Sequence, residues 1–295
     1  MKTYKYSLDK SSRKFECPKC GKKTFVRYKN TENLQYAEPE FGRCDREINC
    51  AHLSYPDSTP SYNLEYMPST QPKPSPKPSY ISYSILDSSL KKYEINPMVK
   101  YLYSKYDSTK VDEAIRNYNV GTSTQYSGST VYWQVDNTGQ VRTGKVMAYD
   151  ETTGKRAKTK DGTALINWAH NFLKIPEFIP NQCLFGLHLL KKDKKPIAVV
   201  ESEKTAIIMS LELPNITWMA TGSLNGFKHD YLKPLKDSKI IAFPDKGGYE
   251  MWLKTAKDLN KMGFNIKVSK ELERPNFEDG WDLADVINSA NEIFQ

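Results

Sequence analysis

The spacing of apolar residues changes along the chain, and the changes mark its parts. From residue 194 onward, short apolar runs alternate with segments whose apolar residues recur at three and four. KKPIAVVES, NITWMATG, SKIIAFPD and FNIKVSKEL read as strands, the first apolar through its whole centre. EKTAIIMSLEL, GYEMWLKTAKDLNKMG and WDLADVINSANEIF read as helices, the second closed by Gly263. Strands taking turns with helices predict a mainly parallel sheet with helices on both faces, an α/β arrangement. Residues 81–193 follow a different rhythm. YEINPMVKYLYSKY and STKVDEAIRNYNV read as short helices. STVYWQVDNTGQVRTGKVMAYDETTGKR alternates like antiparallel strands, with turn signals at DNTG and TTGK. Near the start, TFVRYKN is strand-like. No internal repeat is visible.

Between these parts lies PDSTPSYNLEYMPSTQPKPSPKPSY, residues 56–80. Its alternating prolines remove backbone donors and favour extended polyproline II, so it reads as a semi-rigid tether. The division expected is therefore 1–55, a linker at 56–80, an α+β part at 81–193 and the parallel-sheet part at 194–295. A length of 295 residues leaves room for two or three cores. No apolar run is long enough to span a membrane, and MKTYKYSLDKSSRKF lacks the apolar centre of a signal peptide. The expectation is a cytoplasmic protein without a membrane partner. The net charge of +8 favours polyanionic partners, because Lys and Arg release the counterions condensed on phosphates. The 19 tyrosines offer faces on which bases could stack.

Four of the five cysteines fall in one early cluster. In a cytosolic chain, clustered thiols point to metal rather than disulfides. Cys17-Pro-Lys-Cys20, followed by Gly21, forms a knuckle, and Cys44 and Cys50 complete four thiolates for a tetrahedral, structural Zn²⁺. Five residues separate the second pair, so His52 could take the place of Cys50. Arg13, Lys22, Lys23, Arg27, Arg43 and Arg46 surround the cluster. Such a ribbon either binds nucleic acid or serves only to staple the fold. Cys183, in NQCLFGLHLL, reads as a buried small hydrophobe.

Acidic residues stand at the carboxyl ends of the expected strands, the edge where open α/β sheets bind ligands. Glu201 ends PIAVVE, Asp245 ends IIAFPD, and Asp282 and Asp285 follow in GWDLADVI. Carboxylates gathered there can hold Mg²⁺, which in turn positions phosphates.

IAVVESEKTAIIMS, MATGSLNG, IIAFPDKGGYEMW and DGWDLADVI together resemble the ordered motifs of TOPRIM domains. VYWQVDNTGQVRTGKVMAYDETTGKRAK resembles the subdomain that precedes TOPRIM in bacterial and phage primases, and CLFGLHLL the segment joining the two. With a zinc ribbon in front, the order is that of a primase. The PDKGGYEMW variant is similar to TOPRIM-like proteins of Bacteroidetes mobile elements. The resemblance implies catalytic roles for Glu201, Asp245 and Asp282, with Glu201 the general acid/base. It implies Mg²⁺ or Mn²⁺ ligands at Asp245 and Asp282, supported by Asp285. The family's second metal-binding Asp is absent, because Gly247 stands in its place. Glu250 could compensate or be a solvated helix position. Ser202 stands where a Gly is common.

Arg142, Lys145, Arg156, Lys158 and Lys204 are the residues expected to hold template or nucleotide phosphates. The function implied is RNA primer synthesis on single-stranded DNA from nucleoside triphosphates, during replication of a phage, plasmid or mobile element. A helicase, where one takes part, would be a separate partner. The alternative is a TOPRIM and zinc-ribbon DNA-binding module that has lost catalysis.

Overall fold

In the computed structural model of the chain, the described residues are 5–46, 50–56, 77–190 and 195–293. The chain divides into two compact units, residues 1–73 and 74–295. Most of the expected linker, residues 57–76, lies outside the described residues. Its last residues are already tied to the second unit. The Ser79 N–H donates to the Ile179 carbonyl at 3.0 Å, and Ile81 forms a β-bridge with Val141.

The first unit is an antiparallel sheet of four strands, β1 (Tyr6–Leu8), β2 (Phe25–Asn30), β3 (Gly42–Cys44) and β4 (Leu53–Ser54), in that order. TFVRYKN supplies β2, as its alternation predicts. The sheet is too small to bury a hydrophobic core. What it buries is Phe25 together with Cys17, Cys44 and Cys50, the composition of a domain stapled by metal.

The second unit holds two sheets. The antiparallel one runs β5 (Val120–Thr122), β6 (Thr130–Val135), β7 (Val141–Met147) and β8 (Ile166–Trp168). The β6–β7 turn is DNTG. The Asp136 carboxylate accepts from the Thr138 N–H at 2.9 Å and the Gln140 N–H at 3.0 Å, the local bonding that makes Asp a turn former. Helix α1 (Tyr83–Ser89) covers one face through Leu86, against Val131, Trp133, Val135 and Val146. The sequence reading had no helix there. SYSILDSSL is serine-rich and offers only Ile85, Leu86 and Leu90 to an apolar stripe, so tertiary packing carries it.

Helices α2 (Pro97–Lys105) and α3 (Ser108–Asn117) match the two expected helices, except that α2 begins at Pro97. Pro97 drives Asn96 into extended backbone, at φ −92°, ψ 106°. Residues 93–95 are left in a separate 3-10 turn. Asn96 is fully buried, at 0% exposure. Its side chain accepts from the Val99 N–H at 3.3 Å and from Thr130 Oγ1 at 2.8 Å. Its amide donates to the Gly121 carbonyl at 3.3 Å and to Thr122 Oγ1 at 3.1 Å. One side chain thus caps a helix and clamps two strands. A short helix α4 (Ala169–Phe172) follows β8.

The second sheet comprises β9 (Ile197–Val200), β10 (Thr217–Ala220), β11 (Lys239–Phe243) and β12 (Asn265–Val268), all parallel, in the spatial order β10-β9-β11-β12. Its main helices are α5 (Glu203–Glu212), α7 (Tyr249–Lys261) and α8 (Leu283–Ile293), with a single turn, α6 (His229–Leu232), before β11. Strand and helix positions follow the sequence pattern closely here. In β9 the alternation is complete. Ala198 and Val200 join a core with α2, α3 and α5, while Ile197 and Val199 join one with α7. The first of these cores also holds Tyr132, Met147 and Tyr149 of the antiparallel region. On the other side, Trp252 of α7 is 0% exposed and stacks on Phe227 at 4.3 Å. Burial of such a side chain stabilises by roughly 4–6 kcal/mol. CLFGLHLL extends the sheet edge, since Phe185 bridges Ala220 in antiparallel sense.

Asn96→Ala removes the α2 cap and strands the buried Thr130 hydroxyl without its acceptor. The expected loss of unfolding free energy is about 2–4 kcal/mol. Urea denaturation of the Ala variant against the native chain measures it.

Candidate active site and metal centre

In the first unit, Cys17, Cys20, Cys44 and Cys50 bring their sulfurs within 4.8 Å of one another. Cys17 and Cys50 are 3.7 Å apart, Cys20 and Cys44 4.0 Å. Four sulfurs about 2.3 Å from one tetrahedral Zn²⁺ would stand about 3.8 Å apart, so the donors fit that ion. The Cys17 carbonyl accepts from the Gly21 N–H at 2.8 Å, which closes the first knuckle. The choice between Cys50 and His52 goes to Cys50. The His52 ring instead stacks on Phe25 at 5.6 Å.

In the second unit, the order β10-β9-β11 places consecutive strands on opposite sides of β9. The chain turns away in both directions at the carboxyl end of β9, and a crevice opens there. Glu201 follows β9 directly, and Asp245 lies two residues beyond β11. Backbone bonds bring the third acidic segment in. The Lys246 N–H donates to the Trp281 carbonyl at 2.9 Å, and the Gly280 N–H to the Lys246 carbonyl at 3.2 Å. This pairing puts Asp282 beside Asp245.

Electrostatics shows the convergence. Burial first, and then the negative charges of Glu201, Asp282 and Asp285, push the Asp245 carboxyl up to about 8. Arg156 opposes them. Glu201 is also raised, by burial first, with Arg156, the Leu224 N–H and Lys145 acting against it. Asp285 is raised by burial and by Asp282, and Lys204 and Lys155 oppose that shift.

Asp282 and Asp285 have a structural duty as well. The Asp285 N–H donates to Asp282 Oδ1, and the Asp282 N–H to Asp285 Oδ2, both at 3.0 Å. This reciprocal pair is a capping box at the start of α8. The second oxygen of Asp282 accepts from Thr205 Oγ1 of α5 at 2.5 Å. Among the described residues, only the four cysteines bring three or more ligand atoms within 4.8 Å of one another. The carboxylates therefore stand farther apart than a closed cage.

Gly247, where the resemblance calls for an acid, has φ +92°, and a Cβ there would meet nothing within 4 Å. Space is available, but the backbone is one that Asp adopts only with strain. Glu273 serves this end of α7. Its Oε1 accepts from the Gly247 N–H at 3.0 Å and the Tyr249 N–H at 3.4 Å. Glu250 is exposed on the first turn of α7.

The five basic residues do not share one face. Arg156 and Lys158 are exposed beyond β7, and Arg156 faces the acidic cluster. Lys204 is half-buried, donates to the Gly154 carbonyl at 3.3 Å, and acts on Asp285. Arg142 is drawn away, paired with Asp136 at 2.6 Å and lying over Tyr80. Lys145 sits three positions along the same strand, so its side chain projects to the opposite face. It is buried, in an ion pair with Glu203 at 3.2 Å. Sequence reading passed over Glu203 and Lys155. Glu203 looks like an exposed first-turn acid, and its partner lies 58 residues away.

A domain of unknown function, DUF6371, matches residues 96–246, and a zinc beta-ribbon finger matches residues 4–65. The chain belongs to the DUF6371 family. No curated protein matches it. Among solved structures, the RNA polymerase domain of Mycobacterium tuberculosis primase DnaG aligns at 14% identity and TM-score 0.47, over 72% of this chain and 79% of that one. The primase fragment of the bacteriophage T7 primase-helicase protein aligns at 13% and 0.45, over 95% and 97%. The E. coli primase catalytic core aligns at 15% and 0.47, over 70% and 74%. No helix among the described residues is long and apolar enough to cross a membrane.

Two outcomes follow for this DUF6371 chain. It should carry one zinc per chain by elemental analysis, and Cys44→Ser should lose it, whereas His52→Ala should not. Asp245 holds a proton up to about 8 in the fold but only to 3.8 in an unfolded chain. Stability present below the lower value is therefore lost progressively as pH rises toward the higher one. In magnesium-free buffer the melting temperature of the second unit should fall between pH 5.5 and 8. Asp245→Asn should flatten that fall, and added Mg²⁺ should recover it at pH 8.

Proposed function

We propose that the second unit is a TOPRIM-type, primase-like nucleotidyltransferase that extends RNA primers on single-stranded DNA. The observation that carries this reading is the set of half-buried to buried carboxylates at one sheet edge, rimmed by Arg156, Lys204 and Lys155. Acids packed so that one of them retains a proton to about 8 make a site that a cation relieves. Cationic side chains around such a site suit the phosphates of a nucleotide. Mg²⁺ or Mn²⁺, held by Asp245 with Asp282 and Asp285 outside it, would neutralise triphosphate charge and favour loss of the 3′-hydroxyl proton. Glu201, raised by burial with Arg156 and Lys145 acting against that shift, would accept that proton. Arg156 and Lys204 would orient phosphates, and the exposed Lys158 would meet the template backbone. The zinc ribbon is read as a second contact to single-stranded nucleic acid. The replication setting, a phage, plasmid or mobile element, rests on the motif resemblance alone.

A second reading is favoured by Gly247 and by the capping box. With one acid missing and two others bonded to the α8 backbone, the unit could bind DNA without catalysis. One assay separates the two readings. Native chain, single-stranded DNA, labelled nucleoside triphosphates and Mg²⁺ should yield short oligonucleotides, and Glu201→Gln should lower the rate at least about 100-fold. Absence of product with DNA binding intact would establish the binding module instead.

A further inference from the structure

Lys145 and Glu203 are the most deeply buried ion pair among the described residues, with side chains 9% and 1% exposed. They lie beside the acidic edge, almost wholly shielded from solvent. A buried pair of this kind contributes little net stability, because desolvation offsets attraction. Its geometry is more informative. The Lys145 ammonium donates to Glu203 Oε2 at 3.2 Å and to the Gly222 carbonyl at 2.7 Å. Gly222 lies in the turn after β10, and its own N–H donates to the Glu201 carbonyl at 2.8 Å. Two residues on, the Leu224 N–H bonds the Glu201 carboxylate. The Leu224 carbonyl is held from the far side by Trp252 Nε1 at 2.9 Å. Gly222 has φ +78°, and a Cβ there would come within 3.0 Å of Glu203 Oε1 and 3.8 Å of the ammonium. The turn thus packs closely against the ion pair, and a side chain at Gly222 would have to displace the Glu203 carboxylate.

We propose that Lys145 and Glu203 are positioning residues for Glu201. The pair grips the 221–224 turn, and the turn fixes Glu201 at both its backbone and its carboxylate. Lys145 acts from inside the fold and does not touch nucleic acid. The functional part of this rests on Glu201 as the proton acceptor. The mechanical part does not.

The test uses the full-length chain and two readouts. In Lys145→Met, NMR amide exchange at Gly222 and Leu224 should quicken at least about tenfold, while Val199 in β9 keeps its native rate. The kcat for primer synthesis should fall at least about tenfold, with KM for nucleotide and affinity for single-stranded DNA within about twofold. Glu203→Gln, which keeps the side-chain shape, should show the same pattern more weakly, and Lys145→Arg should restore part of it. The double variant Lys145→Met/Glu203→Gln should regain melting temperature, yet keep the fast exchange and the low kcat. A merely structural pair would regain all three. Native exchange rates at Gly222 and Leu224 in Lys145→Met would overturn the proposal. So would weaker DNA binding with a salt slope reduced by about one, the signature of a phosphate contact. Synthesis that survives Glu201→Gln, or its absence from the native chain, would remove the catalytic reading instead. The exchange rates would still decide whether the pair holds the turn.

Discussion

Strand β9 is hydrogen-bonded to a neighbour on each edge and packed against a hydrophobic core on each face. A strand so enclosed has no polar exit along its length, and its first solvated position is the residue after Val200. Glu201 stands there. The parallel strands beside it end at the same level, because Val200 is in register with Ala220 and with Phe243. The crevice and its acidic lining thus follow from burial and register, before any side chain is chosen for its chemistry.

Acids that the backbone brings together repel, and the fold meets that repulsion in different ways. Asp282 and Asp285 exchange hydrogen bonds with each other's backbone at the start of α8. Glu201 receives the Leu224 N–H. Arg156 and Lys204 approach from separate segments. Asp245 is the residue on which burial and the remaining repulsion fall together, and its raised affinity for a proton records both. Where a proton is held because a carboxyl is buried among other acids, a metal can compete for the same place. This links the electrostatics of the edge to the chemistry proposed for it.

Much of the second sheet was legible because each of its strands and helices announces itself by period. The approach of Glu201 and Asp245 follows the same logic, since residues at like ends of parallel strands share an edge, whereas Asp282 ends no strand and comes in through the backbone pairing of Gly280 and Trp281 with Lys246. Other features depend on long-range pairing that period does not encode. Lys145 reads as one of several strand cations until Glu203 is found beside it. Arg142 is separated from Lys145 by an odd number of positions, a warning that was present in the sequence. Aspartates three apart at 282 and 285 spell a capping box as clearly as they spell a metal site, and the structure shows the former. The backbone angle at Gly247 has no sequence signature, because glycine is compatible with almost any conformation.

Lys246 separates Asp245 from Gly247 and turns away from both. Its ammonium donates to the carbonyls of Arg274 and Phe277, and its peptide pairs with Gly280 and Trp281. The segment that delivers Asp282 is thus stitched, side chain and main chain, to the neighbour of Asp245. Two acids that are 37 positions apart in sequence belong mechanically to one loop. The spacing between them is set by this stitching and by the start of α8, which Asp282 caps. A chain that lacks one acid has in this way kept the others on a common mount.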